Sequence, residues 1–214
     1  MVLPRIYLLK RMVRGANIYV IEEDKGIVIV DCGSEGSDEG IIDFIESLGS
    51  TSDDIRMIIL THAHPDHVGS LPELIDLTDA EVLIHKDEIA LLERFTLLSR
   101  DKIPNLRLLG GGEMLDVLGG LSVIHAPGHT DGSIVLYKPK ELIFTGDVVV
   151  VDKDGRIALP KPEYTKNQKE EINSAKKILT LDFEALLPGH GPPLTENVKV
   201  RAISLLKSIS GNSL

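Results

Sequence analysis

Thr61-His62-Ala63-His64-Pro65-Asp66-His67 follows directly on the apolar run Met57-Ile58-Ile59-Leu60. This stretch places three imidazoles and a carboxylate on one turn, although the 214 residues of the chain include only seven histidines. Neutral imidazole nitrogen and carboxylate oxygen suit zinc, iron or manganese, whereas calcium sites are built from oxygen alone. The stretch therefore predicts a metal site, and a polar loop with surface histidines is the alternative.

The spacing within this stretch predicts two neighbouring metal positions. Successive side chains of an extended segment alternate between two sides, so His62 and His64 share one side. A turn at Pro65 then directs Asp66 and His67 toward an adjacent point. Two pairs of ligands therefore face two adjacent positions.

Three further motifs supply a His or an Asp just after a strand-like apolar run. They are Ala126-Pro127-Gly128-His129-Thr130-Asp131-Gly132, Phe144-Thr145-Gly146-Asp147 and Leu187-Pro188-Gly189-His190-Gly191. With these motifs in this order, the chain resembles the metallo-β-lactamase fold superfamily of metal-dependent hydrolases. The segment Val30-Asp31-Cys32-Gly33 resembles the aspartate turn that supports the ligands in that family, with Cys32 where Thr or Ser is more usual.

The resemblance implies a ligand set and a fold. It implies two divalent metal ions, with zinc as the first choice and iron or manganese as alternatives. The first ion is held by His62, His64 and His129, the second by Asp66, His67 and His190, and both by the bridging Asp147. The implied fold is α+β, a four-layer αββα sandwich that forms a single domain over residues 1–214.

The resemblance also implies a reaction. We expect a hydrolase in which a hydroxide that bridges the metals attacks the carbonyl of a small ester, thioester or lactone, with Asp66 as ligand and proton acceptor. Asp147 stands where zinc β-lactamases of the best-known type carry Cys, so the chain looks more like the glyoxalase II branch. Typical members of that branch have a long helical extension that grips glutathione, whereas 24 residues follow His190 here. Thioester or ester chemistry is therefore expected more firmly than a glutathione carrier.

Two other functions stay open on the sequence. Persulfide dioxygenases resemble glyoxalase II but hold one iron through two His and one Asp, which here would be His62 or His64 with His129 and Asp147. A metal-stabilised binding or sensor protein without turnover is the third hypothesis. The intact ligand set argues against it, because a scaffold freed from catalysis needs no open, solvent-bearing position.

Two histidines lie outside the predicted ligand set. His125 ends a strand-like run four residues before His129 and competes with it, but Pro127-Gly128 predicts a turn that lifts His129 out at the strand end. His85 ends another apolar run, and we interpret it as a hydrogen-bonded, partly buried structural residue.

Apolar periodicity predicts a mixture of strands and helices. The nine predicted strands are Tyr7–Leu9, Ile18–Ile21, Ile27–Val30, Met57–Leu60, Val82–Ile84, Leu121–Ile124, Ile134–Tyr137, Leu142–Phe144 and Ala185–Leu187. Amphipathic patterns predict helices over Ile41–Leu48, Ile172–Leu179 and Val198–Ile209. Asn167 with Glu170 resembles a capping box for the second helix. Every predicted ligand follows a strand, which predicts that the ligands lie in loops.

The segment from Val148 to Thr165 follows directly on the predicted bridging aspartate, so it is a candidate to fold over the metals. Within it, Lys161 and Tyr164 are candidates to hold a substrate carboxylate or to orient the oxyanion. A rigid surface connection is the alternative, because proline flanks Lys161 on both sides.

Composition limits the partners and the compartment. The formal net charge of -10, with 23 basic and 33 acidic residues, disfavours nucleic acid and favours a small-molecule substrate. We find no membrane span or secretory signal and expect a cytoplasmic protein, and the single Cys32 fits a reducing compartment as a buried, inert thiol. The absence of Trp and the many charged residues favour a thermophilic origin. Sequence leaves the oligomeric state unknown.

Overall fold

The computed structural model of the protein describes residues 1–9 and 15–211. The chain divides into two compact units, Met1–Gly110 and Gly111–Leu214. Each unit has its own β-sheet and its own hydrophobic core, and each combines strands with helices. The α+β class is therefore confirmed. Across the described residues, every helix is too short or too polar to cross a membrane.

The first unit contains a six-stranded sheet whose strands are neighbours in the order of the chain. The strands are β1 (Ile6–Leu9), β2 (Ile18–Glu23), β3 (Gly26–Val30), β4 (Ile55–Ile59), β5 (Glu81–His85) and β6 (Leu106–Leu109). The pairs from β1 to β3 are antiparallel and those from β3 to β6 are parallel. Since β3 and β4 are parallel, the residues that follow them emerge at the same edge of the sheet.

Helices connect the parallel strands of the first unit. They are α1 (Asp38–Ser47), α2 (Pro65–Val68), α3 (Leu71–Leu77) and α4 (Ile89–Thr96). The buried residues Ile41 and Ile45 of α1 and Leu71 and Leu74 of α3 belong to one core cluster with residues of β3 and β4. This packing gives the loops after β3 and β4 a rigid support.

The second unit contains a five-stranded sheet in the order β13, β10, β9, β8, β7. These strands are β7 (Met114–Leu115), β8 (Leu121–His125), β9 (Ile134–Lys138), β10 (Leu142–Gly146) and β13 (Ala185–Pro188). The neighbours β10 and β13 pair in parallel, and the other described pairs of this sheet are antiparallel. A separate hairpin is formed by β11 (Val150–Val151) and β12 (Ile157–Ala158), and the helices are α5 (Gln168–Leu179) and α6 (Val198–Gly211).

Helix α5 begins at the predicted cap. The side chain of Asn167 accepts a hydrogen bond from the backbone of Glu170 at 3.3 Å, and its amide nitrogen donates to the Glu170 carboxylate at 2.9 Å. The backbone N–H of Asn167 donates instead to the carbonyl of Gly128 at 2.8 Å. The cap is therefore shared between the helix and the loop before it.

The nine predicted strands and three predicted helices are present, and every strand end lies within two residues of its predicted position. The sequence did not predict β6, the β11–β12 hairpin or the helices α2, α3 and α4. In β6, Arg107 and Leu108 are exposed and only Leu109 is buried. A short edge strand of this kind lacks the alternating apolar pattern that identifies a strand.

The ligand loops require one correction. Asp66 and His67 lie in α2, a one-turn helix, and not in an irregular loop. Pro65 occupies the first turn of this helix, where its fixed φ is already helical and its missing N–H costs nothing. The predicted turn at Pro65 is therefore a helix start. His62, His64, His129, Asp147 and His190 lie outside helices and strands, as predicted.

Candidate metal centre

The first unit holds four of the predicted ligands close together. His62 and His67 are fully buried, and His64 and Asp66 are half-buried. Nε2 of His62 lies 3.1 Å from Nδ1 of His64. Two nitrogens that bind one tetrahedral ion, each at about 2.0–2.1 Å, lie about 3.3 Å apart. This pair is therefore spaced to share one cation.

The other two predicted ligands of this unit, Asp66 and His67, are also grouped. The ring centroids of His62 and His67 lie 4.0 Å apart. Donor atoms of Asp66 and His67 lie within 4.8 Å of each other, as do donor atoms of His62 and His67. Two protonated imidazoles buried at this distance would repel each other, so the neutral form is favoured. Neutral imidazole is also the form that binds a metal ion.

Asp31 joins the two strand ends beneath these ligands. It is buried, with a φ of 58° that Asp tolerates better than most residues. Its Oδ1 accepts a hydrogen bond from the backbone of Thr61 at 2.8 Å, and its Oδ2 accepts from the Thr61 hydroxyl at 2.8 Å. Oδ2 also lies 2.8 Å from Nδ1 of His67. The supporting role implied for Asp31 agrees with this network.

The Asp31 contact determines which nitrogen of His67 can bind a metal. An ionised carboxylate can accept hydrogen bonds but cannot donate them. In the pair with Asp31, the proton therefore lies on Nδ1 of His67. Nε2 then keeps its lone pair, as in metal sites where a ligating histidine donates its other N–H to a carboxylate. Nδ1 of His62 lies 3.2 Å from the Thr61 hydroxyl, which is placed to favour the same tautomer.

A second buried carboxylate holds the backbone between His62 and His64. Glu88 is fully buried, and its Oε2 accepts a hydrogen bond from the backbone N–H of Ala63 at 2.7 Å. Sequence reasoning did not identify Glu88. The one available signal was an acidic residue directly before the apolar residues that begin α4. The contact spans 25 residues, and local periodicity does not encode contacts at that range.

The second unit groups the remaining three predicted ligands. Oδ2 of the buried Asp147 lies 3.6 Å from Nε2 of His129 and 3.3 Å from Nε2 of His190. His129 is buried, whereas the side chain of His190 is 38% exposed. One carboxylate oxygen therefore faces two imidazole nitrogens. This donor set suits borderline divalent cations, as does the set in the first unit.

The loop that carries His129 is fixed against the start of α5. Gly128 has a φ of +135°, and a Cβ at this position would overlap the backbone of Glu171. The backbone N–H of Lys166 donates to the carbonyl of His129 at 3.1 Å. Glycine is therefore required here for close approach and for its backbone conformation.

Glu171 is a buried acid beside this loop that sequence reasoning missed. Its Oε1 lies 3.7 Å from Nδ1 of His129. Burial raises the pKa of Glu171 to about 7, a hydrogen bond from Thr165 opposes this shift, and the charge of Asp147 adds to it. One signal was available, because Glu171 precedes the buried Ala175 by four residues and therefore lies on the same helix face.

The two remaining histidines make contacts of their own. Nε2 of His125 lies 2.8 Å from the carbonyl of Asp131, which agrees with the choice of His129 as ligand. Nδ1 of the buried His85 accepts a hydrogen bond from the backbone of Asp87 at 3.3 Å. His85 thus begins a helical turn, as expected for a structural residue.

Lys161 and Tyr164 lie in a short 3₁₀ turn in the second unit, Pro162–Tyr164 and its cap. The side chain of Lys161 is 73% exposed and faces Glu163, and Tyr164 is 61% exposed. Two residues further on, Lys166 bonds to the His129 loop. The turn is therefore connected to a ligand loop, and both side chains are accessible.

Cys32 is fully buried, and its thiol donates to the carbonyl of His67 at 3.2 Å. Burial raises the pKa of Cys32 well above its ordinary value, and the charge of Asp31 adds to the shift. Since only the thiolate is nucleophilic, we expect alkylation of the folded protein at pH 8 to be about 10³-fold slower than in denaturant. Mass spectrometry after iodoacetamide treatment measures this ratio. Equal rates in the two states would contradict an inert thiol.

A family model described as "Metallo-beta-lactamase superfamily" matches residues 11–190 of the chain. The chain is 30% identical over 202 residues to the "Hydroxyacylglutathione hydrolase GloC" of Haemophilus influenzae, and the match covers 88% of this chain and 91% of that protein. The matched family range contains all seven residues predicted to be metal ligands.

Two solved structures are similar to this one. The metallo-beta-lactamase family protein TTHA1429 from Thermus thermophilus matches with a TM-score of 0.75 and 24% identity, over 99% of this chain and 81% of that chain. At this identity the likeness concerns the fold alone. TTHA1623, solved in a di-iron-bound form, matches with a TM-score of 0.68 and 30% identity, over 92% of this chain and 97% of that chain.

Proposed function

The chain belongs to the metallo-β-lactamase superfamily, and on that premise we propose that it is a dinuclear metal-dependent hydrolase that cleaves a small ester, thioester or lactone. The observation that carries the proposal is the position of Asp147, whose Oδ2 faces Nε2 of both His129 and His190. A carboxylate between two imidazoles is suited to serve two cations at once. Family membership and the His and Asp clusters support divalent metals in general.

The proposed ligand assignment follows the donor chemistry. We assign one ion to His62, His64 and His129, the second to Asp66, His67 and His190, and both to Asp147. The 3.1 Å spacing of the first two histidines and the tautomer that Asp31 imposes on His67 support the assignment. Zinc is the first choice, and the di-iron form of TTHA1623 keeps iron as the alternative.

When bound, a pair of divalent ions supplies Lewis acidity and brings the pKa of a shared water close to neutrality. The residues of the chain supply orientation and proton transfer. In our proposal a carboxylate oxygen of Asp66 accepts the proton of the attacking water. Asp31 keeps Nε2 of His67 deprotonated, and the complete burial of His62 and His67 limits the approach of competing water from that side.

Thioesters are the first substrate class to test, because the relative GloC is described as a hydroxyacylglutathione hydrolase. The net charge of -10 supports a small substrate over a nucleic acid. The experiment measures metal content by mass spectrometry and turnover on S-acyl thioesters, lactones, aryl esters and phosphodiesters. We expect two equivalents of metal per chain and turnover of at least one carbonyl substrate.

The same experiment separates the alternatives. One equivalent of iron, with oxygen uptake on glutathione persulfide, would replace the hydrolase with a dioxygenase. Turnover confined to phosphodiesters would contradict attack on a carbonyl. Full metal content without turnover of any substrate in the panel would favour a binding or sensor protein.

We also propose that Lys161 and Tyr164 contact the substrate. Replacing Tyr164 with Ala is expected to raise KM about 3- to 10-fold with little change in kcat, because one neutral hydrogen bond contributes about 0.5–1.5 kcal/mol to binding. Steady-state kinetics on the best substrate measure the change. Tyr164→Phe separates the hydroxyl from the ring. Unchanged kinetics in the Ala variant would remove Tyr164 from the site.

Three broader expectations remain part of the proposal. We propose that residues 1–214 form a single domain, which would unfold in one cooperative transition. The single Cys32, a free cysteine that is buried in the structure, supports a cytoplasmic location. The charged composition supports a thermophilic origin.

A further inference from the structure

We propose that Glu171 is a positioning residue for His129: its carboxylate keeps the imidazole proton on Nδ1, so that Nε2 presents its lone pair to a metal. The proposal rests on the proposed function in one respect, because it takes His129 as a ligand. It goes beyond that function by giving a role to an acid that no sequence motif contains.

The geometry places two carboxylates on opposite nitrogens of one ring. Nδ1 of His129 lies 3.7 Å from Oε1 of Glu171, and Nε2 lies 3.6 Å from Oδ2 of Asp147. The first distance is about half an ångström longer than the upper limit of about 3.2 Å for an N–H···O bond, so the contact in the structure is an electrostatic one. Glu171 therefore faces the nitrogen that points away from the predicted metal side.

The backbone fixes this juxtaposition independently of the two side chains. Three hydrogen bonds join the His129 loop to α5 and the residues just before it: Lys166 N–H to the His129 carbonyl at 3.1 Å, Asn167 N–H to the Gly128 carbonyl at 2.8 Å, and the Ser174 hydroxyl to the Pro127 carbonyl at 2.7 Å. Gly128 allows the loop to approach the backbone of Glu171 more closely than any side chain would permit. Glu171 is thus held beside His129 by the fold.

Burial of an ionised Glu171 destabilises the folded protein unless a donor or a cation interacts with its carboxylate. The residue is 2% exposed, and the other buried residues of α5 are Ser174, Ala175, Ile178 and Leu179; its Oε1 lacks a hydrogen-bond partner among the described residues. A buried charged acceptor that is left without a hydrogen bond loses its hydration and gains nothing in return, which destabilises the folded state. A cation bound at Nε2 would make the Nδ1 proton a stronger donor. A carboxylate in this position is how many metal-binding histidines are oriented.

The test uses the zinc-loaded full chain and two readouts that do not depend on activity. Chelator competition measures zinc affinity, and ¹H–¹⁵N spectra of histidine side chains report which nitrogen of His129 carries the proton. In Glu171→Gln we expect about 10- to 100-fold weaker zinc binding and an upfield shift of the Nδ1 proton, because an amide oxygen is a weaker acceptor than a carboxylate. Glu171→Met, which removes the acceptor, should weaken zinc binding at least as much.

Glu184→Gln is the matched control, because Glu184 is an exposed acid of the same unit that lies outside both the His129 loop and α5. We expect its zinc affinity and His129 spectrum to equal those of the wild type. Unchanged affinity in Glu171→Gln, or zinc bound to Nδ1 of His129 in the wild type, would overturn the proposal. If no substrate is cleaved, the proposed reaction fails while both readouts still decide the role of Glu171. Gln is nearly isosteric with Glu, so this variant is expected to fold.

Discussion

Asp147→Asn is expected to lose at least one equivalent of metal and to lower kcat/KM about 10³-fold or more. Asp147 is the acid that faces both His129 and His190 in the second unit, so its charge is proposed to serve both cations. Asn keeps the shape but removes the charge that attracts a cation. A 10³-fold decrease in kcat/KM corresponds to a loss of about 4 kcal/mol of transition-state stabilisation. Metal analysis and steady-state kinetics on the same preparation measure both effects.

Asp182→Asn is the control for this substitution. Asp182 also lies in the second unit, but it is exposed and pairs with Lys199 at 2.9 Å. We expect wild-type metal content and activity in this variant. Full metal content together with normal turnover in Asp147→Asn would show that Asp147 does not bridge the ions, and circular dichroism establishes that both variants are folded.

Removal of the metals is expected to abolish turnover and to lower the melting temperature by about 8 °C or more. A ligand present at 1,000 times its Kd stabilises the native state by about 4.1 kcal/mol, and for a chain of this size each kcal/mol shifts the Tm by about 2–4 °C. The buried carboxylates also repel one another once the cations are gone. Calorimetry before and after treatment with a chelator measures the shift.

Adding back zinc, iron or manganese then identifies the metal that restores both stability and turnover. Restoration by calcium alone would contradict the imidazole-based site. A Tm that does not change after complete removal would indicate that the clusters bind no metal in the folded protein. Melting of the loaded protein above about 65 °C, beyond the usual mesophilic range, would support the thermophilic origin.

The strands were predictable because their apolar runs are buried along nearly their whole length, as in β3 and β5. The helices α1, α5 and α6 were predictable from amphipathic spacing. The missed elements are short or lie at an edge, such as β6 and α2, where too few residues are buried to produce a period. The fold class and family were recognisable because ligand motifs are local in sequence. The family model and the structure of TTHA1429 confirm both.

The sequence by itself predicted the candidate donors within each motif. Strand alternation and the fixed φ of Pro65 control side-chain direction over a few residues, so the spacing of His62, His64 and His67 follows from local geometry. Local geometry also favours His129 over His125, because Pro127-Gly128 predicts a turn that lifts His129 out at the strand end.

Only the tertiary structure decided which groups support those donors. Asp31 reaches His67 across 36 residues, Glu88 reaches Ala63 across 25, and Glu171 reaches His129 through the docking of α5. Asp31 and Glu88 act through hydrogen bonds to backbone groups and to a ring nitrogen, and Glu171 is proposed to act on its ring nitrogen in the same way. Such contacts depend on which strand ends and helix starts are neighbours in the folded protein. Residues that are distant in sequence make these contacts, so no periodic pattern of the sequence predicts them.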